Sequence, residues 1–85
     1  MAKIIRLGDA GSHGGTVSTA SPDVFAGGQR VARVGDTYSC PIHGANQIVT
    51  GSPDVRVNGQ AVARVGDTTA CGATLLGGAA TTEVN

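Results

Sequence analysis

The chain has 85 residues, room for one small domain over 1–85, and its six Lys+Arg balance its six Asp+Glu. With 2% aromatic residues and no Trp, it offers neither the positive surface nor the stacking platform that nucleic-acid binding needs. Fourteen glycines argue against long helices, 14% charged residues argue against disorder, and together they predict an all-β body of short strands and turns.

The opening MAKIIRLGDAG lacks the apolar core of a signal peptide. No apolar run approaches the ~20 residues of a membrane span. A chain made in the cytosol, soluble and without stable membrane insertion, is therefore expected. Gly8-Asp9 is the first of three Gly-Asp pairs and is followed by His13-Gly14. Residues 21–40 then read SPDVFAGGQRVARVGDTYSC and residues 52–71 read SPDVRVNGQAVARVGDTTAC, identical at 14 of 20 positions. Ser21-Pro22-Asp23 and Ser52-Pro53-Asp54 read as strand entries, where Pro is tolerated. Val55-Arg56-Val57, Asn58-Gly59 and Gln60 to Val65 read as a β-hairpin, with Gly27-Gly28 supplying the same turn in the first copy. Arg33 and Arg64, within V-A-R-V-G-D, are expected on the solvated face of a strand, or else bonded to a neighbouring carboxylate or carbonyl. The Gly-Asp pairs close these strands as turns, and the small Ala residues blur which face is inside. His43-Gly44 lies between the copies, and Cys71-Gly72 opens a shortened third stretch towards Asn85. Units this short cannot each bury a core, so three of them are expected around one pseudo-threefold axis. Tyr38 and Phe25 are the only aromatic side chains available to that core.

His13, Cys40 and Cys71 each stand four residues after a Gly-Asp pair, so the repeat delivers a metal-type side chain to a similar place three times. Cys40-Pro41-Ile42-His43 adds a Cys-x-x-His spacing, which grips one ion from a single turn. His13, Cys40, His43 and Cys71 together make a Cys₂His₂ set suited to structural zinc, whose two charges the thiolates neutralise. Such a site contributes folding free energy on the order of 10 kcal/mol, which a thin core needs. Other uses of these residues stay open. A Cys40–Cys71 disulfide would close a loop of about 30 residues and add roughly 3–4 kcal/mol, but leaves both His unexplained. Two buried free Cys beside two solvated His is the plainest alternative. Catalytic zinc needs an open coordination position, and a Cys40–His43 nucleophile dyad lacks a recognisable cleft or oxyanion hole. Asp9, Asp36 and Asp67 fall in repeated turns and read as structural, so no catalytic residue is expected.

The succession G-D-x-x-x-H-G-G, S-P-D-V-x-x-x-G-Q-x-V-A-R-V-G-D-T-x-x-C-P-x-H-G, then S-P-D-V-x-V-N-G and V-A-R-V-G-D-T-x-x-C-G resembles the PAAR-repeat proteins, from about Gly8 to Leu76. Degenerate equivalents of the family's Pro-Ala-Ala-Arg motif are Gln29 to Arg33 and Gln60 to Arg64. The resemblance implies a small cone of short β-strands. It would cap the blunt end of a homotrimeric, VgrG-like β-helical spike, in type VI secretion or a contractile phage tail. It also implies one structural zinc near the apex, held by His13, Cys40, His43 and Cys71, a two-Cys set where three His and one Cys is common in the family. Such a protein waits in the bacterial cytoplasm and leaves on the spike to puncture a target envelope. At this length it would act as a bare tip, recruiting secreted effectors from elsewhere. A zinc-stabilised adaptor or chaperone module, and a small metalloenzyme, are the other classes.

Overall fold

The computed structural model describes residues 2–78 and 83–84, and all regular structure among them is β. Two hairpins form where the sequence puts its turn pairs. Strands β3 (Phe25–Ala26) and β4 (Gln29–Arg30) flank Gly27-Gly28, and β7 (Arg56–Val57) and β8 (Gln60–Ala61) flank Asn58-Gly59. All four turn residues have positive φ, between 54° and 86°. That is the geometry whose twist matches a tight hairpin. The two ends of the chain supply a third ladder: β1 (Ala2–Lys3) pairs antiparallel with β9 (Glu83–Val84). Its register repeats the other two, with Ala2↔Val84 matching Ala26↔Gln29 and Val57↔Gln60. The expected third stretch thus closes against the start of the chain, although residues 79–82 and 85 lie outside the described residues. The remaining sheet has the order β2-β5-β6, from Thr16–Val17, Thr37–Cys40 and Gly44–Gln47.

The hairpin entries differ from the expectation. Ser21-Pro22-Asp23 and Ser52-Pro53-Asp54 are bends rather than strand starts. In each, the Ser Oγ accepts the backbone N–H groups two and three residues on, at 3.3 and 3.1 Å from Ser21 and at 3.2 and 3.0 Å from Ser52. A hydroxyl that bonds local backbone competes with the ladder, and Pro presets the turn.

Three Arg-x-Gly-Asp turns follow the three ladders. In each, the Asp N–H donates to the Arg carbonyl at 3.0 Å, and the intervening Gly8, Gly35 and Gly66 have φ of 86°, 96° and 98°. This is a type II turn, which needs φ > 0 at its third position. The Arg N–H donates back to an Asp Oδ2, at 2.6 Å for Arg6, 2.8 Å for Arg33 and 2.8 Å for Arg64.

Backbone hydrogen bonds link the three units in a ring. Ala32 N–H donates to Ile5, Ala63 N–H to Ala32, and Ile5 N–H to Ala63, all at 2.9 Å. Two further rings repeat the pattern: Ser18 to Thr37, Val49 to Thr68 and Leu76 to Ala10, and Leu7 to Arg30, Val34 to Ala61 and Val65 to Lys3. The molecule is therefore a closed pseudo-threefold body, 29 × 23 × 22 Å.

Side chains alternate along the strands at the ring, so consecutive residues enter different cores. Ile5, Ala32 and Ala63 pack with Val17, Tyr38, Cys40, Ile48, Ala73 and Leu75. Ile4, Val31 and Val62 pack instead with Ala26 and the flanks of the hairpins. The Ala residues that blurred the two faces are the small side chains that fit where three strands converge. Tyr38 is the one aromatic ring inside, whereas Phe25 is 57% exposed and adds nothing to the core. The Tyr38 hydroxyl accepts the Gly15 N–H at 3.0 Å, and its ring lies against Gly11, where a Cβ would meet it at about 2.4 Å.

Candidate metal centre

The loops that run from each turn Asp to the core residues Val17, Ile48 and Leu75 carry the site. Seven residues separate Asp9 from Val17 and Asp67 from Leu75, and eleven separate Asp36 from Ile48. The two short loops are built alike. Gly11 N–H donates to Gly15 and Gly14 N–H to Gly11 around His13; Thr69 N–H donates to Ala73 and Gly72 N–H to Thr69 around Cys71. The longer second loop extends into the β5–β6 hairpin, with Cys40 opposite Gly44 and Pro41 to His43 as its turn. One ligand-type residue from each short loop and two from the long one converge.

The structure brings together all four residues singled out from the sequence. One donor atom from each of His13, Cys40, His43 and Cys71 lies within 4.8 Å of every other. Cys40 Sγ is 3.6 Å from His13 Nδ1 and 3.6 Å from His43 Nδ1, and Cys71 Sγ is 3.6 Å from His13 Nδ1. Four donors at zinc distances of about 2.0–2.3 Å would stand roughly 3.4–3.8 Å apart in a tetrahedron. The spacing and the donor chemistry therefore fit a metal ion of this kind. Cys40 is buried, His13 and Cys71 are half-buried, and His43 is exposed, so the cluster opens to solvent on one side.

Local bonds prepare Cys71 as an anion. Desolvation pushes its thiol up, but the Thr69 hydroxyl, the Ala73 amide, His13 and Cys40 together bring it down to about 6. A thiolate is the form that binds metal. Both cysteines are free thiols, so the disulfide alternative is not the state of this structure.

The arginines of the repeat are half-buried and paired with carboxylates rather than freely solvated. Arg33 Nε donates to Asp36 Oδ2 at 2.9 Å and Nη2 to Asp36 Oδ1 at 3.0 Å, with Asp36 5% exposed. Arg64 forms the same fork on Asp67, at 3.0 Å for each contact. The hydrogen-bonding alternative holds because the carboxylate caps the turn beside the arginine's own backbone. Arg6 holds the equivalent place in the first unit, with its Nε 3.8 Å from Asp9 Oδ2. Ile5-Arg6-Leu7-Gly8-Asp9 is a third Ala-Arg-Val-Gly-Asp in all but its apolar residues.

A closed pseudo-threefold β-body whose three units bring His13, Cys40, His43 and Cys71 to one point is a small all-β domain with a candidate metal site. The family model described as the PAAR motif matches residues 7–77, and the chain belongs to that family. No curated protein matches the chain.

Proposed function

We propose that this protein is a structural spike tip: it caps the blunt end of a homotrimeric, VgrG-like β-helical spike and sharpens it for envelope penetration. The host machine is a type VI secretion system or a related contractile, phage-type particle. The observation that carries this reading is the closed ring of backbone hydrogen bonds through Ile5, Ala32 and Ala63, joined to membership of the PAAR family. A single chain with three equivalent faces can meet a threefold partner with the same kind of contact three times. The three short ladders β1–β9, β3–β4 and β7–β8 are assigned to the docking base, where strand pairing would extend the spike.

His13, Cys40, His43 and Cys71 would hold one zinc in this reading, with no catalytic role. Zinc would supply a redox-inert, four-coordinate cross-link. The residues of the chain do the rest: the three loops hold their donors on one point, and the Arg–Asp turns stiffen the strands behind it. The protein would wait in the bacterial cytoplasm and leave on the spike, carrying secreted effectors as passengers.

The test is reconstitution with the cognate spike trimer, read by light scattering and metal analysis. One chain per trimer and about one zinc per chain is the expected result. A metal-loaded chain that ignores the trimer overturns the spike-tip reading and favours an adaptor.

A further inference from the structure

Two side chains outside the candidate ligand set hold Cys71. Thr69 is 3% exposed, and its hydroxyl lies 3.2 Å from Cys71 Sγ, its one side-chain hydrogen-bond partner among the described residues. Buried hydroxyls are almost always paired. If the thiol were the donor, the Thr69 hydrogen would have no acceptor among the described residues. Donation from Thr69 to Sγ leaves nothing unsatisfied and requires a sulfur that accepts, as a metal-bound thiolate does. The corresponding positions in the other two units are Gly11, which has no side chain, and Tyr38, whose hydroxyl is taken by Gly15. Threefold repetition thus does not account for a hydroxyl here.

The second group comes from the neighbouring unit. Asn46, on β6, accepts the Cys71 N–H with Oδ1 at 3.2 Å and donates from Nδ2 to the Gly44 carbonyl at 3.0 Å. Gly44 directly follows His43. The Asn46 carboxamide therefore ties the Cys71 loop to the hairpin that carries Cys40 and His43.

We propose that Thr69 and Asn46 are positioning residues for the metal: Thr69 aims the Cys71 sulfur by donating to it, and Asn46 fixes the Cys71 backbone against the Cys40–His43 turn. This rests on the metal-site reading above. Groups that orient a ligand in this way are typically worth about 10–100-fold in metal affinity. Cys71 has more need of them than Cys40, which is buried within the hairpin ladder.

The test uses cobalt(II) as a spectroscopic probe and zinc in competition with a chelator, on the full chain carrying Thr69→Val, Thr69→Ser or Asn46→Ala. Thr69→Val keeps the side-chain shape and is expected to bind one metal with about 10–100-fold lower affinity. Its sulfur-to-cobalt charge-transfer band moves to longer wavelength, because a thiolate relieved of a hydrogen bond donates more readily. Thr69→Ser restores both affinity and band position. Asn46→Ala weakens binding without moving the band, since it acts through the backbone. A Thr69→Val protein with wild-type affinity and an unmoved band overturns the proposal and leaves the metal site standing. A folded wild type that takes no metal overturns the metal site, and this proposal with it. Should Thr69→Val fail to fold, Thr69→Ala is read in the same way.

Discussion

Asp67 receives the Arg64 backbone N–H and Nε on Oδ2, and Arg64 Nη2 and the Thr50 hydroxyl on Oδ1, at 2.8–3.0 Å. Burial pushes this carboxyl up, but the Arg64 and Thr50 hydrogen bonds and the Arg64 charge outweigh it, so it ionises below its ordinary 3.8. A depressed folded pKa gives stability that is present above pH 3.8 and is lost as pH falls through the folded value. Asp67→Asn is therefore expected to cost about 1–3 kcal/mol at pH 7, a deficit that shrinks below about pH 3.8. Denaturant unfolding across pH measures both. Asp9 is the weaker copy. Arg6 Nε lies 3.8 Å from Asp9 Oδ2 and is buried without a hydrogen bond among the described residues, and Gly77 stands where Thr19 and Thr50 reach the other two carboxylates. Asp9→Asn should cost less than Asp67→Asn, and equal costs would refute the ranking.

The side chain of Asn58 ties the second hairpin to the segments that flank the first. Asn58, at the tip of β7–β8, accepts from Ser21 Oγ at 2.6 Å and Arg33 Nη1 at 3.2 Å, and donates to Asp23 at 3.1 Å. It also holds a left-handed φ of 54°. Asn58→Ala loses both features and should destabilise by about 2 kcal/mol; Asn58→Gly keeps the turn and should lose about half of that. Urea unfolding of the pair separates bond from backbone, and identical losses would mean that the side-chain contacts contribute nothing. This turn was legible in the sequence because Asn-Gly and Gly-Gly are local signals. Cys40-x-x-His43 was legible for the same reason. The β1–β9 ladder was not, since its halves are some 80 residues apart with no turn between them. Nor was the pairing of Arg33 with Asp36 and of Arg64 with Asp67, because V-A-R-V reads as a strand with its arginine in solvent until the turn brings the carboxylate back to it. Thr69 and Asn46 carry no motif at all; only the folded loops bring them to Cys71.

At the scale of the whole molecule, each unit is bonded to the next and the third back to the first, so no unit can open without breaking bonds to both neighbours. The candidate metal site adds a second closure. His13 belongs to the first unit, Cys40 and His43 to the second, and Cys71 to the third. A metal held there resists separation of any pair, and its binding free energy appears as folding free energy. The hydrophobic core that remains without it is thin: among the described residues Tyr38 is the only buried aromatic ring, and the other fully buried side chains are no larger than Ile or Leu. Chelation should therefore act on the whole fold rather than on the loops alone. Unfolding followed by circular dichroism should remain a single transition, with Tm lowered by more than about 20 °C on removal of metal. Local fraying confined to the ligand loops with an unchanged Tm would mean that the hydrogen-bonded ring sustains the fold unaided. Two separated transitions would mean that the three units are not closed into one cooperative body.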